Sequence, residues 1–266
     1  MKIMSIFCIL LVSSIKCLKK IKTPDFIYKA KNINQENYQK YLDDEKVKMV
    51  IATGPAGTGK TMLGCIKALN MLKKEEVKKI IITRPIVAVE EEELGFLPGN
   101  LVKKMDPWTR PIMDIFMENY SRSEIDNLIY SNKIEISPLA YMRGRTFKDA
   151  MIIADEMQNS TPNQMLMLTT RIGKGSKLVI TGDLNQADKK MEKNGLKDLI
   201  EKIKKYNLYN NETDSIRMLE FEKDDIERSD IVEKVIDIYN YVESKQLSIN
   251  GDAALMPLKD IPRYKL

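Results

Sequence analysis

The chain has 266 residues, with 43 lysines and arginines, 38 aspartates and glutamates, three cysteines and no histidine. The absence of histidine excludes Ser-His-Asp and Cys-His catalysis, and three cysteines do not make a disulfide framework. The net charge of +5 arises in the first forty residues, where eight lysines oppose two acidic residues, so the remainder carries −1. Overall charge therefore does not favour a nucleic-acid partner, and the size fits one globular unit.

The chain begins with an uncharged, mostly apolar run from Ile3 to Ile15, followed by basic sequence. The pattern is typical of a signal or transit segment, and the run is shorter than the ~20 apolar residues that span a membrane. We therefore treat residues 1–33 as an N-terminal extension, and we expect no stable membrane insertion of the mature core. The expected location is cytoplasmic, and targeting to an organelle through the first 30 residues is the alternative.

The body of the chain, residues 34–246, alternates β-branched runs with amphipathic stretches. This alternation predicts an α/β fold, in which a mainly parallel sheet carries helices on both faces. Residues 247–266 contain two prolines and are predicted to form an irregular tail. The predicted strands are Val47–Thr53, Lys79–Thr83, Lys133–Ser137, Ala150–Ala154, Lys177–Thr181 and Ser215–Phe221.

Two stretches carry helix start signals. Thr161-Pro162-Asn163-Gln164 combines an N-cap residue, a proline at the first helical position and a glutamine at the capping-box position. A helix is predicted from there to about Arg171. Ser123-Glu124-Ile125-Asp126 is similar to a capping box, with Asp126 in place of glutamate. It predicts a second helix that starts at Ser123.

The first predicted strand is followed by Gly54-Pro55-Ala56-Gly57-Thr58-Gly59-Lys60-Thr61, a GxxxxGK[ST] sequence that precedes a predicted helix. In this context the sequence is typical of a P-loop, or Walker A motif, whose backbone N–H groups surround phosphate oxygens. Lys60 is then expected to reach the β- and γ-phosphates of ATP, and Thr61 to place its hydroxyl on Mg²⁺. The alternative is a glycine-rich turn that merely connects a strand to a helix.

The predicted strand Ala150–Ala154 ends at two adjacent carboxylates, as in a Walker B motif. We expect this strand to lie beside the P-loop strand, so that Asp155 holds the metal and Glu156 activates an attacking water. The alternative is a charged pair that begins the next helix.

Polar residues also follow the predicted strand Lys177–Thr181. Thr181, Asp183 or Gln186 is a candidate to sense the γ-phosphate, with Asp183 in the nucleotide site and Gln186 in catalysis. An ordinary turn after the strand is the alternative.

These segments together resemble the PhoH family of phosphate-starvation-inducible ATPases, over roughly Glu45 to Glu243. The resemblance implies a RecA-like core close to that of superfamily 1 helicases, Mg²⁺-dependent ATP binding and hydrolysis, and association with single-stranded RNA. Its motifs beyond the P-loop are Ile82-Thr83-Arg84-Pro85, Leu94-Gly95-Phe96-Leu97-Pro98-Gly99, Asp106-Pro107-Trp108, Met142-Arg143-Gly144-Arg145-Thr146-Phe147, Asp155-Glu156-Met157-Gln158-Asn159 and Thr181-Gly182-Asp183.

The resemblance also assigns arginines. By this resemblance, Arg84, Arg143 and Arg145 are candidates for nucleic-acid contact. The alternative for Arg84 is a salt bridge to Glu90–Glu93. The alternatives for Arg143 and Arg145 are a subunit contact or a solvated turn. Arg228 corresponds to an arginine that stabilises the γ-phosphate, in the same subunit or in a neighbour. Ser229-Asp230 stands where relatives have His-Pro, and a helix cap at Ser229 is the alternative.

The resemblance favours a homo-oligomer. Helicases use a second RecA-like domain, which we do not expect in 266 residues, and a neighbouring subunit in a ring would supply that surface. Two other functions remain open from the sequence. One is a nucleotide-dependent RNA-binding or assembly module with little turnover. The other, less expected because of the adjacent carboxylates, is a small-molecule or nucleoside kinase.

Overall fold

The computed structural model describes residues 25–85, 101–186, 194–210 and 214–227, together with residues 231, 234, 235 and 238. Within these ranges, six strands form one sheet in which every neighbouring pair is parallel, in the order β3-β2-β4-β5-β1-β6. The predicted α/β fold, with a parallel sheet and helices on both faces, is confirmed. Each predicted strand is present to within two residues at either end. The strands are β1 (Met49–Thr53), β2 (Lys79–Thr83), β3 (Ile134–Ile136), β4 (Ala150–Ala154), β5 (Lys177–Gly182) and β6 (Ile216–Glu220).

Helices connect the parallel strands, and none of the described helices is long and apolar enough to cross a membrane. Three short 3₁₀ turns, Leu139–Met142, Met157–Asn159 and Lys223–Asp225, lie in the connections. The helices are α1 (Ile33–Asp43), α2 (Lys60–Lys73), α3 (Leu101–Met117), α4 (Arg122–Tyr130), α5 (Pro162–Thr169) and α6 (Gly195–Tyr209).

One predicted helix start is confirmed and the other is wrong. The Thr161 side chain accepts from the Gln164 N–H, and Gln164 accepts from the Thr161 N–H, which makes the predicted capping box at α5. At α4 the box is formed by Ser121 and Glu124, so the N-cap lies two residues before Ser123 and the helix begins at Arg122. The backbone of Ser121 is extended, and the glutamate side chain three residues later is long enough to reach back to its N–H.

The sheet separates two hydrophobic cores. On β1, Val50 and Ala52 face the core formed with α1, α2 and α3, whereas Met49 and Ile51 face the core formed with α5 and α6. All five residues of β1 and all five of β4 are buried. Burial on both faces explains why the central strands are almost continuously apolar in the sequence.

The sheet order corrects one expectation about the site. The P-loop strand β1 and the Asp155 strand β4 are not neighbours, because β5 pairs with both of them. Since all the strands are parallel, the loops that follow β1, β4 and β5 still leave the same edge of the sheet. The loop that follows β5 therefore leaves the sheet between the P-loop and the loop that carries the two carboxylates.

Candidate nucleotide-binding site

The P-loop follows β1 and ends at the N-terminus of α2. Gly54 has φ +132°, and a Cβ added there would lie 2.3 Å from the carbonyl oxygen of Phe221, so only glycine fits. Gly59 precedes α2 with φ +82° and offers no side chain to cap the helix. The first N–H groups of α2 are therefore directed toward the loop without a side-chain acceptor at the N-cap, an arrangement that attracts anions.

Lys60 is buried and folded back into the P-loop. Its Nζ donates to the carbonyl oxygens of Gly54 and Pro55, at 2.7 and 2.5 Å, and to Thr58 Oγ1 at 3.1 Å. Burial lowers the pKa of Lys60, and the neighbouring carboxylates, led by Asp183, oppose that change. A cation held in this way lies within the phosphate-binding loop and has acidic residues around it.

The two predicted metal ligands meet in the structure. Thr61 Oγ1 donates to Asp155 Oδ1 at 2.8 Å, and Thr181 Oγ1 donates to the same oxygen at 2.5 Å. The Asp155 carboxylate is buried at the end of β4. A hydroxyl and a carboxylate in contact form an oxygen donor pair of the kind that Mg²⁺ takes when phosphates and waters complete its shell. The residues present therefore fit the predicted magnesium.

Glu156, one residue after Asp155, has a left-handed backbone with φ +54°, which is uncommon for a residue other than glycine. Its carboxylate contacts donors on both sides: Arg84 Nη2 lies 3.3 Å from Oε1, and Gln158 Nε2 donates to Oε2. The sequence left open whether Glu156 would begin the next helix. Its side chain instead faces the cleft beside the P-loop, and a 3₁₀ turn follows it.

The loop after β5 completes the cleft. The backbone N–H of Asp183 donates to Gln158 Oε1 at 3.1 Å, and Asp183 Oδ1 accepts from the N–H of Asn185 at 2.9 Å. The cleft has a volume of about 280 Å³. Most of the residues that line it were predicted from the sequence to belong to the site. These are Ala56, Gly57, Gly59, Lys60, Thr61, Asp155, Glu156, Asp183 and Gln186, to which Met62, Ile115 and Gly182 are added.

The structure separates the three arginines that were candidates for nucleic-acid contact. Arg84 lies against Glu156, and its alternative partners, residues 90–93, fall outside the described residues. Arg145 Nη1 is 2.5 Å from Glu135 Oε1, and its guanidinium lies over the Phe147 ring at 4.6 Å. Although burial opposes ionisation of Glu135, Arg145 and Lys79 hold its pKa below the usual range.

Arg143 differs from the other two. It is exposed and makes no ion pair with the residues that the structure describes, and it lines a second cavity between the Leu139–Met142 turn and α5. Tyr141, two residues earlier, is 62% exposed. Arg228, the candidate γ-phosphate arginine, lies outside the described residues.

Comparison with known proteins identifies the family of the chain. The family model described as "PhoH-like protein" matches residues 27–240. The chain belongs to the PhoH-like protein family. It is 43% identical over 213 residues to the "PhoH-like protein" of Bacillus subtilis (strain 168), covering 80% of this chain and 64% of that protein. It is 35% identical over 214 residues to "Protein PhoH" of Escherichia coli (strain K12), covering 79% and 58%.

This PhoH-like chain thus spans less than two thirds of the length of those relatives. Among solved structures, the crystal structure of Pif1 helicase from Candida albicans aligns with a TM-score of 0.41 and 18% identity, over 81% of this chain and 44% of that one.

The PhoH-like chain also contains site residues to which the sequence analysis gave no role. Gln35 in α1 is fully buried, and its Nε2 donates to Glu227 Oε1 at 2.7 Å and to the carbonyl oxygen of Thr58 in the P-loop at 3.4 Å. The Glu227 N–H donates to the carbonyl oxygen of Gly57 at 2.9 Å, so both segments support the P-loop from outside the cleft. In the sequence, the only indication of a role for Gln35 is that a glutamine stands near the start of the helix before the P-loop strand. Gln158 was named only as part of the motif Asp155-Glu156-Met157-Gln158-Asn159.

Proposed function

We propose that this PhoH-like chain binds ATP with Mg²⁺ and hydrolyses it to ADP and phosphate. One observation carries the proposal: Thr61 Oγ1 and Asp155 Oδ1 are 2.8 Å apart at the foot of the P-loop, in the same cleft as the Glu156 carboxylate. A metal ligand pair and a neighbouring base at a phosphate-binding loop are the parts that triphosphate hydrolysis requires.

The P-loop would bind the triphosphate through its N–H groups and the N-terminus of α2. Lys60 would exchange its carbonyl acceptors for β- and γ-phosphate oxygens, since its Nζ already lies within the loop. Mg²⁺, held by Thr61 and Asp155, would neutralise phosphate charge when bound. These contacts position the γ-phosphate and stabilise the charge that develops on it.

Glu156 would act on the attacking water. It accepts a proton from that water as the oxygen forms a bond to the γ-phosphorus and the bond to the β–γ bridging oxygen breaks. The electron pair of the broken bond stays on ADP, and the product is inorganic phosphate. Gln186 and Asp183 would contact the γ-phosphate, and their place in the lining of the same cleft supports these roles. Arg228 is proposed to add a cation there from its own subunit or a neighbour.

The test of this proposal is the substitution Glu156→Gln. We expect nucleotide binding close to wild type and a loss of phosphate release of about 10²- to 10⁴-fold, because the base is removed and the phosphate-binding groups are kept. Glu118→Gln, the same change at an exposed residue of the turn after α3, is the matched control. Hydrolysis at the wild-type rate in Glu156→Gln would refute the assignment, and phosphate transfer only with an added acceptor would indicate a kinase instead.

We also propose that hydrolysis is coupled to single-stranded RNA, and that the working form is a homo-oligomer, with a ring as its geometry. The RNA proposal is supported by two exposed residues close together in the chain, Arg143 and Tyr141, because phosphates pair with arginine and bases stack on aromatic rings. The test is ATPase activity with and without RNA, with the mass in solution measured on the same sample. No stimulation and no RNA binding would remove this part of the proposal and leave the hydrolysis in place.

A further inference from the structure

A buried glutamine connects the proposed catalytic base to the loop after β5. Gln158 is 1% exposed and lies in the 3₁₀ turn that follows Glu156. Its Nε2 donates to Glu156 Oε2, and its Oε1 accepts from the backbone N–H of Asp183 at 3.1 Å. Each end of the side-chain amide therefore contacts a different part of the cleft.

The orientation of this amide is determined by its two partners. A flipped amide would place its NH₂ group against the Asp183 N–H and its oxygen against the Glu156 carboxylate, and both pairs would repel each other. The space around it is also restricted, since a Cβ at Gly182 would lie 2.7 Å from Gln158 Oε1. The glycine that ends β5 thus leaves the room that the glutamine occupies.

The Glu156 carboxylate is held from two sides. Arg84 lies beside Oε1 and Gln158 donates to Oε2, so both oxygens have a donor. A carboxylate oxygen has two lone pairs, which leaves an acceptor position on each oxygen for a water. The left-handed backbone of Glu156 places its side chain in this position, and contacts to both oxygens limit its rotation.

We propose that Gln158 is a positioning residue for hydrolysis, which holds the Glu156 carboxylate toward the attacking water. It also connects Glu156 to the loop bearing Asp183 and Gln186, which lines the same cleft, so that contact of this loop with a nucleotide is transmitted to the base. This inference rests on the proposed ATP hydrolysis. It assigns Gln158 no contact with the substrate.

The experiment compares Gln158→Glu with Gln158→Met. Gln158→Glu keeps an acceptor for the Asp183 N–H and removes the donor to Glu156, whereas Gln158→Met removes both. We expect both variants to lower kcat by about tenfold or more, with KM for ATP within about twofold of wild type. Gln164→Glu is the control, because it keeps the Gln164 oxygen that caps α5 and lies outside the nucleotide cleft.

A double-mutant cycle separates positioning from general support of the fold. If Gln158 acts through Glu156, adding Gln158→Met to Glu156→Gln lowers single-turnover hydrolysis by less than about twofold, since the base is already absent. Wild-type kcat in Gln158→Glu, or an equal loss in both backgrounds, would overturn the inference. If wild-type protein shows no hydrolysis at all, the proposed function fails, and this inference fails with it; wild-type turnover that is insensitive to Gln158 refutes the inference alone.

Discussion

Replacing Gly54 by alanine tests the close approach between the P-loop and the end of β6. The backbone of Gly54 has φ +132°, a region that is essentially restricted to glycine. A Cβ there would lie 2.3 Å from the carbonyl oxygen and 2.8 Å from the Cβ of Phe221. Phe221 cannot easily move away, because its N–H donates to Thr53 at 2.7 Å and its buried ring stacks edge-on against Tyr38.

Two costs add at this position. The strained backbone costs about 1–3 kcal/mol, and overpacking against a fixed backbone group costs about 1–3 kcal/mol more. The expected loss in the free energy of unfolding is therefore about 2–6 kcal/mol, from a total that is typically about 5–15 kcal/mol. Nucleotide affinity should fall as well, because the Gly54 carbonyl oxygen accepts from Lys60 Nζ at 2.7 Å and a displaced loop moves both groups.

Urea unfolding of the purified variant gives the measurement, and Gly144→Ala is the control. Gly144 also has a positive φ, of +76°, but a Cβ there would meet nothing within 4 Å. It should cost only the left-handed backbone penalty of about 1–2 kcal/mol. If Gly54→Ala were no less stable than Gly144→Ala, the argument from the Phe221 contact would be wrong.

Three further predictions concern stability and RNA binding. Burial lowers the pKa of Lys177 to about 8, so between pH 8 and about 10 an unfolded chain holds a proton that the folded chain has released. The free energy of unfolding of the wild type, relative to that of Lys177→Met, should therefore rise by on the order of 2–3 kcal/mol through that pH window and stay constant below it. If the two free energies changed in parallel with pH, this prediction would be wrong. Ser121→Ala should lower the free energy of unfolding, measured by thermal unfolding, by about 1 kcal/mol, because the N-cap of α4 is lost. Ser123→Ala should change it by less than about 0.5 kcal/mol, and equal losses in the two variants would contradict the cap assignment. For the RNA binding proposed above, Arg143→Ala should weaken affinity and reduce its salt dependence by about one phosphate contact. Arg145→Ala breaks a contact to Glu135 and should mainly lower stability; a larger effect on RNA affinity for Arg145→Ala would contradict this assignment.

Much of the cleft was predictable because its signals are local. The glycine spacing of the P-loop, the apolar strand before Asp155 and the cap at Thr161 each lie within a few residues, and backbone geometry gives each pattern few alternatives. Where two local solutions compete, as at Ser121 and Ser123, the spacing predicted a box at the wrong serine. The longer glutamate side chain decided between them.

The sequence by itself determined that the chain has an α/β fold, a P-loop after the first strand, and the acidic pair Asp155-Glu156 at the end of β4. The tertiary structure alone decided that β5 lies between β1 and β4, and it selected the carboxylate partners of Arg84 and Arg145. Thr61 and Asp155 are 94 residues apart in the chain, and Gln35 and Glu227 are 192 apart. Contacts of this kind depend on the order in which parallel strands pack and on which side chains fill the space between them, and no periodicity within a single segment encodes that order.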